Sequence, residues 1–167
     1  TVKSVDLAKP IKEVTVRKET LLAKTVIIAT GTAPRVLGIP GEKELAGRGV
    51  AYCATCDGEF FKDQEIAVLG SGDQAIEESL YLTKFVKKVY VVVIHPEGVL
   101  DCNKVSAQKA YDNEKISFIF NSTIKSINGE DEVESVTLEN LVSHELTQLD
   151  VKGLFMFVGM VPNSELF

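Results

Sequence analysis

Two cysteines separated by two residues are the part of this sequence best suited to chemistry. Cys53 and Cys56 have the spacing that permits a redox disulfide across one helical turn, and a thiolate is favoured near a helix N-terminus. Asp57 follows directly and is a candidate acid for protonating a departing thiolate, although Asp57-Gly58 is also a common turn dipeptide. The pattern favours a reversible dithiol with Cys53, Cys56 and Asp57 as catalytic residues.

Other uses of a close cysteine pair fit the sequence less well. Covalent haem attachment requires a histidine directly after the second cysteine, and residue 57 is an aspartate. A zinc site would have to recruit Cys102 with His95 or His144, without the second close pair that zinc ribbons usually show. A structural pair of buried thiols is a further alternative. We expect no metal site.

A glycine-rich turn is the second candidate site. An apolar run ends at Leu69, the pattern Gly-x-Gly-x-x-Ala follows, and a helical run begins after it. In dinucleotide-binding folds the glycines allow a tight turn and close approach of a pyrophosphate, and free N–H groups at the helix start face the phosphates. An ordinary strand-to-helix turn is the alternative, but the context favours NAD(P) binding. The candidate cofactor-binding residues are Gly70, Ser71, Gly72, Asp73, Gln74 and Ala75.

The end of the next strand offers the group that meets the adenosine ribose in such folds. His95 and Glu97 lie there, Glu97 about 25 residues beyond Gly72, slightly past the usual spacing. An acidic side chain at this place hydrogen-bonds a ribose 2′-hydroxyl and repels a 2′-phosphate. We therefore take His95 and Glu97 as further cofactor-binding candidates, with a solvated turn glutamate as the alternative for Glu97.

The elements around these residues predict an α/β fold. Strand, helix, strand, helix and strand follow one another over residues 65–69, 73–84, 88–94, 103–112 and 116–120. That order favours a Rossmann-like parallel sheet with flanking helices. Two alternating segments around a five-residue loop, 123–127 and 133–138, predict a small antiparallel β-meander after it.

The flanking segments predict further strands and a boundary. Residues 25–29 are predicted as a buried strand, and residues 153–159 as another apolar strand. Between residues 34 and 49, glycine and proline are too dense for a regular element and mark a connection, with a boundary near residue 44. The chain opens on Thr1 without an initiator Met, so we expect it to be an excised piece.

Composition excludes several functional classes. The 167 residues carry a formal net charge of −6, the wrong sign for neutralising nucleic-acid phosphates. The longest strictly apolar stretch, residues 89–94, is far shorter than the roughly twenty residues that cross a bilayer. No secretory signal is visible, and three cysteines suit a reducing cytosol. We expect a cytoplasmic protein that binds neither nucleic acid nor membrane.

Two segments together resemble the low-molecular-weight thioredoxin reductases. They are Gly49-Val50-Ala51-Tyr52-Cys53-Ala54-Thr55-Cys56-Asp57-Gly58 and Gly70-Ser71-Gly72-Asp73-Gln74-Ala75-Ile76-Glu77-Glu78. The resemblance extends upstream to Ala29-Thr30-Gly31-Thr32-Ala33-Pro34-Arg35 and downstream to Gly153-Leu154-Phe155-Met156-Phe157-Val158-Gly159. It implies that residues 1–44 end a first FAD-domain segment, that 45–152 form the NAD(P)-binding domain with the dithiol, and that 153–167 return to the FAD domain.

The resemblance also implies an activity and a role for each catalytic residue. In that family electrons pass from NADPH to FAD, then to the disulfide and on to thioredoxin, in a homodimer. By position, Cys56 would face the flavin, Cys53 would attack the partner disulfide and Asp57 would donate the proton. The family's FAD-binding glycine motif is absent, so we expect a central fragment that holds no FAD and lacks activity by itself.

One departure bears on the electron donor. NADPH-using members carry His-Arg-Arg after the second strand and another Arg shortly beyond, whereas this chain has His95-Pro96-Glu97-Gly98-Val99-Leu100-Asp101. The missing arginines leave NADH, NADPH held by Lys104 or Lys109, or a protein donor such as ferredoxin. An alkyl hydroperoxide reductase flavoprotein-type disulfide reductase and a non-catalytic nucleotide-binding regulatory domain are the alternative functions.

Overall fold

Short strands and two separate units characterise the computed structural model, which describes all 167 residues. The first unit comprises Thr1–Ala33 and Met160–Phe167. Within it, β1 (Val2–Asp6), β2 (Lys12–Val16) and β3 (Glu19–Ala23) form an antiparallel meander. The strand β4 (Thr32–Pro34) pairs with the last strand of the chain, Met160–Pro162.

One strand predicted in this unit is absent. Residues 25–29 form no regular element, and the side chains of Ile27 and Ile28 are 91% and 50% exposed. The prediction of a buried strand here was wrong, because an apolar run becomes a strand only where a neighbouring strand accepts its backbone hydrogen bonds, and no strand pairs with this segment.

The second unit, Pro34–Gly159, contains the predicted parallel sheet. Its strands and helices, in chain order, are β5 (Val50–Ala51), α1 (Ala54–Asp57), β6 (Glu65–Leu69), α2 (Asp73–Leu82), β7 (Lys88–Val92), α3 (Lys104–Tyr111), β8 (Ile116–Ile119) and β12 (Gly153–Met156), with a 3-10 turn at Gly58–Phe61. The sheet order is β5-β12-β6-β7-β8, and every pairing is parallel. The Rossmann-like α/β prediction is confirmed.

The antiparallel meander is also confirmed, with one strand more than predicted. It consists of β9 (Ser122–Asn128), β10 (Ser135–Asn140) and β11 (Leu146–Asp150), in the order β11-β10-β9. The closing strand Met160–Pro162 is β13. No helix is both long and apolar enough to cross a membrane.

Successive side chains of the central strands point to opposite faces of the sheet, so the core has two parts. In β6, Ile66 and Val68 pack with Ile76 and Leu82 of α2, whereas Ala67 and Leu69 pack in the cluster that contains the meander. Successive strand residues point to opposite faces, so a fully apolar strand needs a cover on each side. The helices cover one face of the parallel sheet, and the meander covers the other.

The bounds of this unit differ from the predicted domain 45–152. Gly153–Met156 lies between β5 and β6, hydrogen-bonded on both edges, and all four residues are buried. Upstream, Glu42 is buried as well. Residues on both sides of the predicted domain therefore belong to the same core.

Candidate functional site

The cysteine pair begins at the carboxyl end of β5. A disulfide joins Cys53 and Cys56 across α1, with the two Cα atoms 5.3 Å apart. Cys53 is the N-cap of α1: its sulfur lies 3.2 Å from the backbone N–H of Cys56 and 3.4 Å from the Thr55 hydroxyl. Cys53 is half-buried and Cys56 is exposed. Two polar groups therefore lie at the Cys53 sulfur, at the start of α1.

A buried carboxylate anchors the residue before this pair. Glu42 is 1% exposed, and its oxygens accept hydrogen bonds from the backbone N–H groups of residues 37 to 39, the shortest at 2.7 Å from Gly38. The Tyr52 hydroxyl donates to the same carboxylate at 2.8 Å. Burial and this carboxylate raise the pKa of Tyr52 to about 12. Neither Glu42 nor Tyr52 was predicted as a site residue, because the sequence does not show that a glutamate in a glycine-rich connection is buried.

Asp57, the residue after Cys56, lines a small cavity. The cavity has a volume of about 230 Å³, and Arg48, Phe60 and Lys152 are among its lining residues. The Asp57 carboxylate makes no hydrogen bond within the protein, and Phe60 is 79% exposed. The structure thus leaves the Asp57 carboxylate available to a group that enters this cavity.

The zinc alternative requires several His, Cys, Asp or Glu side chains close together. The structure has no group of three or more His, Cys, Asp or Glu side chains placed to hold a metal ion. Cys102 is a free, partly buried thiol, and its pKa is raised by burial and by the nearby Asp73 carboxylate. A raised thiol pKa disfavours the thiolate that metal binding and nucleophilic attack require.

The glycine turn lies at the carboxyl end of β6 and has the geometry of a phosphate cradle. Gly70 adopts φ +143°, and a Cβ there would lie 2.4 Å from the Phe157 carbonyl oxygen. Gly72 is extended, and a Cβ there would meet nothing within 4 Å. No side chain caps the N-terminus of α2, so its first N–H groups are open to a ligand. The turn therefore offers open space and backbone N–H donors of the kind that a dinucleotide pyrophosphate requires.

A cleft of about 510 Å³ opens in front of the turn. Its lining includes residues 70–72, the carboxyl end of β7, residues 157–159 and two charged side chains, Arg35 and Asp101. In open parallel sheets, ligands bind outside the carboxyl ends of the strands. The dithiol follows β5 on the same edge, separated from β6 by the single strand β12, which corresponds to about 10 Å between strand axes.

The other predicted nucleotide residues have different surroundings. Asp73 accepts two hydrogen bonds from Asn103, which lower its pKa and tie α2 to the start of α3. Ala75 is fully buried against the sheet, as close helix packing requires. Gln74 and Glu97 are exposed and make no side-chain hydrogen bond.

A three-residue cluster at the end of β7 was not anticipated. The Ser71 hydroxyl donates to Asp101 Oδ2 at 2.7 Å, and His95 Nε2 lies 2.7 Å from the same oxygen. These two contacts, Ser71 first, lower the pKa of Asp101. The sequence shows two acidic residues shortly after β7, Glu97 and Asp101. Only the fold shows that Asp101 is the one that contacts the glycine turn.

The parallel sheet thus carries a cysteine disulfide and an open glycine turn at the carboxyl ends of its strands. The family model for pyridine nucleotide-disulphide oxidoreductases matches residues 1–167, so the chain belongs to that family. Two curated relatives are a thioredoxin reductase of Peptoclostridium acidaminophilum and a bifunctional thioredoxin reductase/thioredoxin of Mycobacterium leprae. The first is 45% identical over 98% of this chain and 53% of its own length, and the second is 46% identical over 99% and 36%.

Solved structures agree with these relatives. Lactococcus lactis thioredoxin reductase superimposes with a TM-score of 0.92 at 38% identity, over 99% of this chain and 55% of that one. The chain thus spans about half the length of the thioredoxin reductases that it matches. The resemblance found in the sequence is confirmed.

Proposed function

We propose that this chain is the dithiol and nucleotide-binding part of a thioredoxin-disulfide reductase. The observation that carries the proposal is the Cys53–Cys56 disulfide on the same sheet edge as an open glycine turn. When bound, a pyridine nucleotide and FAD supply the two electrons that reduce the disulfide. Residues of this chain hold the nucleotide and carry out the exchange with the partner.

The thiol exchange assigns a role to each catalytic residue. The reduced Cys53 thiolate attacks one sulfur of the partner disulfide, a Cys53–partner disulfide forms, and the departing partner sulfur takes a proton. Cys56 then attacks Cys53 Sγ, restores the Cys53–Cys56 disulfide and releases the second partner thiol. Asp57 is the proton donor. Hydrogen bonding at Cys53 and the free carboxylate of Asp57 support these roles.

A bound nucleotide would occupy the cleft in front of the glycine turn. Gly70, Ser71 and Gly72 let its pyrophosphate approach the backbone, the N–H groups of α2 bind it, and Ala75 lets α2 pack closely on the sheet. We propose NADH as the electron donor, since the residues after β7 include carboxylates and no arginine. Thioredoxin is the proposed partner, in keeping with the names of the relatives.

The FAD domain, the oligomeric state and the location of the whole protein are proposed from its similarity to the thioredoxin reductases. Residues 1–33 and 160–167, which lie outside the compact unit 34–159, are proposed to contribute to an FAD domain, and the whole protein is proposed to be a homodimer located in the cytoplasm. The odd number of cysteines, with Cys102 a free thiol, supports a reducing compartment.

Exchange with oxidised thioredoxin tests the proposal. The chain is reduced with dithiothreitol, desalted and mixed with oxidised thioredoxin, and the thiols of each protein are counted. We expect the chain to lose two thiols and thioredoxin to gain two. The Cys56→Ser variant should accumulate a mixed disulfide with thioredoxin, detected by mass, whereas Cys53→Ser should not.

Cys102→Ser serves as the matched control and should exchange like the unchanged chain. No transfer of thiols to thioredoxin would contradict the proposed partner. A mixed disulfide formed by Cys53→Ser instead of Cys56→Ser would reverse the assignment of the two cysteines.

A further inference from the structure

The loop after β7 returns to the glycine turn. The backbone N–H of Asp101 donates to the Ser71 carbonyl at 2.9 Å, and Gly72 and Asp101 form an isolated parallel bridge. These backbone contacts position the Cα atom of Asp101 next to the glycine turn. Asp101 is therefore part of the rim of the cleft, although it lies 29 residues after Gly72 in the sequence.

The carboxylate of Asp101 is held in one orientation. Ser71 and His95 both contact Oδ2, whereas Oδ1 accepts no hydrogen bond from the protein. The side chain is 60% exposed, so Oδ1 is accessible to a ligand in the cleft. An ionised carboxylate whose second oxygen is accessible can accept hydrogen bonds from vicinal ribose hydroxyls.

Charge at the rim distinguishes the two pyridine nucleotides. The cleft lining contains one other charged residue, Arg35. His95 Nε2 is already engaged with Asp101 Oδ2. A 2′-phosphate carries up to about two negative charges, and the Asp101 carboxylate would face it without an arginine in the 94–101 loop to offset the repulsion.

We propose that Asp101, held by Ser71 and His95, is the residue that selects NADH over NADPH, by accepting a hydrogen bond from the adenosine ribose and repelling a 2′-phosphate. This inference rests on the proposed nucleotide site. It assigns to Asp101 the role that the strand-end pattern suggested for Glu97. Glu97 is exposed and makes no side-chain hydrogen bond that would fix it at the cleft.

Calorimetric titration of the chain with NADH and NADPH tests the inference. We expect NADH to bind at least about tenfold more tightly, and Asp101→Asn to reduce that preference to about threefold or less, since the amide keeps the shape but removes the charge. Glu97→Gln and the remote surface variant Glu114→Gln should both keep the tenfold preference. Adenosine 2′,5′-bisphosphate and 5′-AMP, used as competitors, should show the same order and isolate the 2′ position.

The outcomes separate this inference from the proposed function. Equal or tighter binding of NADPH, or loss of the preference in Glu97→Gln but not in Asp101→Asn, would overturn the role of Asp101 and leave nucleotide binding intact. Binding of neither nucleotide would overturn both the inference and the proposed nucleotide site. Exchange with thioredoxin would remain as an independent measure of the dithiol. A thermal melt of each variant confirms that it is folded.

Discussion

At the scale of single residues, the buried Glu42 carboxylate determines how the dithiol is attached to the core. It accepts three backbone N–H groups of the 37–39 segment and the Tyr52 hydroxyl, and Tyr52 is the residue before Cys53. A buried charge is tolerated only when hydrogen bonds replace its hydration. The 34–44 connection and the start of the dithiol segment are therefore joined at one carboxylate.

The Tyr52→Phe variant measures this attachment. Removing a hydrogen bond to a charged group should lower the free energy of unfolding by about 1.5–3 kcal/mol at neutral pH, measured by urea denaturation. The matched control is Tyr111→Phe, because the Tyr111 hydroxyl makes no hydrogen bond, and its effect should stay within about 0.5 kcal/mol. Equal stabilities of the two variants would show that the Tyr52 hydroxyl contributes nothing.

Alkaline pH provides a second test of the same contact. The pKa of Tyr52 is raised from 10.0 to about 12 in the folded chain, so the folded state favours the neutral phenol. This contribution to stability is fully present below pH 10, and it is lost as the pH rises towards 12. The difference in unfolding free energy between the unchanged chain and Tyr52→Phe should shrink over that window. A constant difference up to pH 12 would contradict the raised pKa.

At the scale of elements, the turn between β6 and α2 uses its two glycines for different reasons. Gly70 has a positive φ, and a Cβ there would lie 2.4 Å from the Phe157 carbonyl oxygen, so folding requires a glycine at this position. Gly72 has an ordinary extended backbone with open space around it, so folding does not require a glycine there. Its open space is what a pyrophosphate would occupy.

Alanine at each glycine separates the two requirements. Gly70→Ala should cost about 2 kcal/mol or more in unfolding free energy, since the new Cβ meets backbone that cannot move freely. Gly72→Ala should change stability by less than about 1 kcal/mol yet weaken NADH binding about tenfold or more. Urea denaturation and calorimetric titration measure the two effects. Undiminished NADH affinity in Gly72→Ala would argue against a pyrophosphate at this turn.

At the scale of the whole molecule, the chain contains one Gly-x-Gly-x-x-Ala turn, and α2 begins at it. The family to which the chain belongs couples a pyridine nucleotide to a disulphide, and the relatives are about twice as long as this chain. One glycine turn serves one dinucleotide. We therefore expect the chain to hold the nucleotide and the dithiol, and to hold no FAD by itself.

Measuring the bound cofactors tests whether the chain binds NADH but no FAD. We expect the purified chain to be colourless and to bind NADH, and added FAD should remain separable by gel filtration. Quantifying flavin by absorbance and nucleotide by calorimetry on the same preparation gives both results. A yellow preparation with stoichiometric FAD would show that the segments 1–33 and 160–167, with the rest of the chain, suffice for flavin binding.

Local sequence determined the elements and the reactive residues of this protein. Strands β6 to β8 and helices α2 and α3 follow from apolar runs, helical periodicity and glycine punctuation, and the cysteine spacing is a property of one helical turn. These signals are short-range, so they are visible without a fold. The glycine turn was predictable for the same reason, and its binding of a nucleotide stays a prediction.

Only the tertiary structure decided which distant residues complete the sites. The position of β12 between β5 and β6 brings the dithiol and the glycine turn to one sheet edge, and the loop after β7 brings Asp101 to Ser71. Glu42 is buried because the chain folds its segment against Tyr52, and residues 25–29 stay exposed because no strand pairs with them. Pairing and burial depend on contacts between residues far apart in the sequence, which periodicity and spacing do not encode.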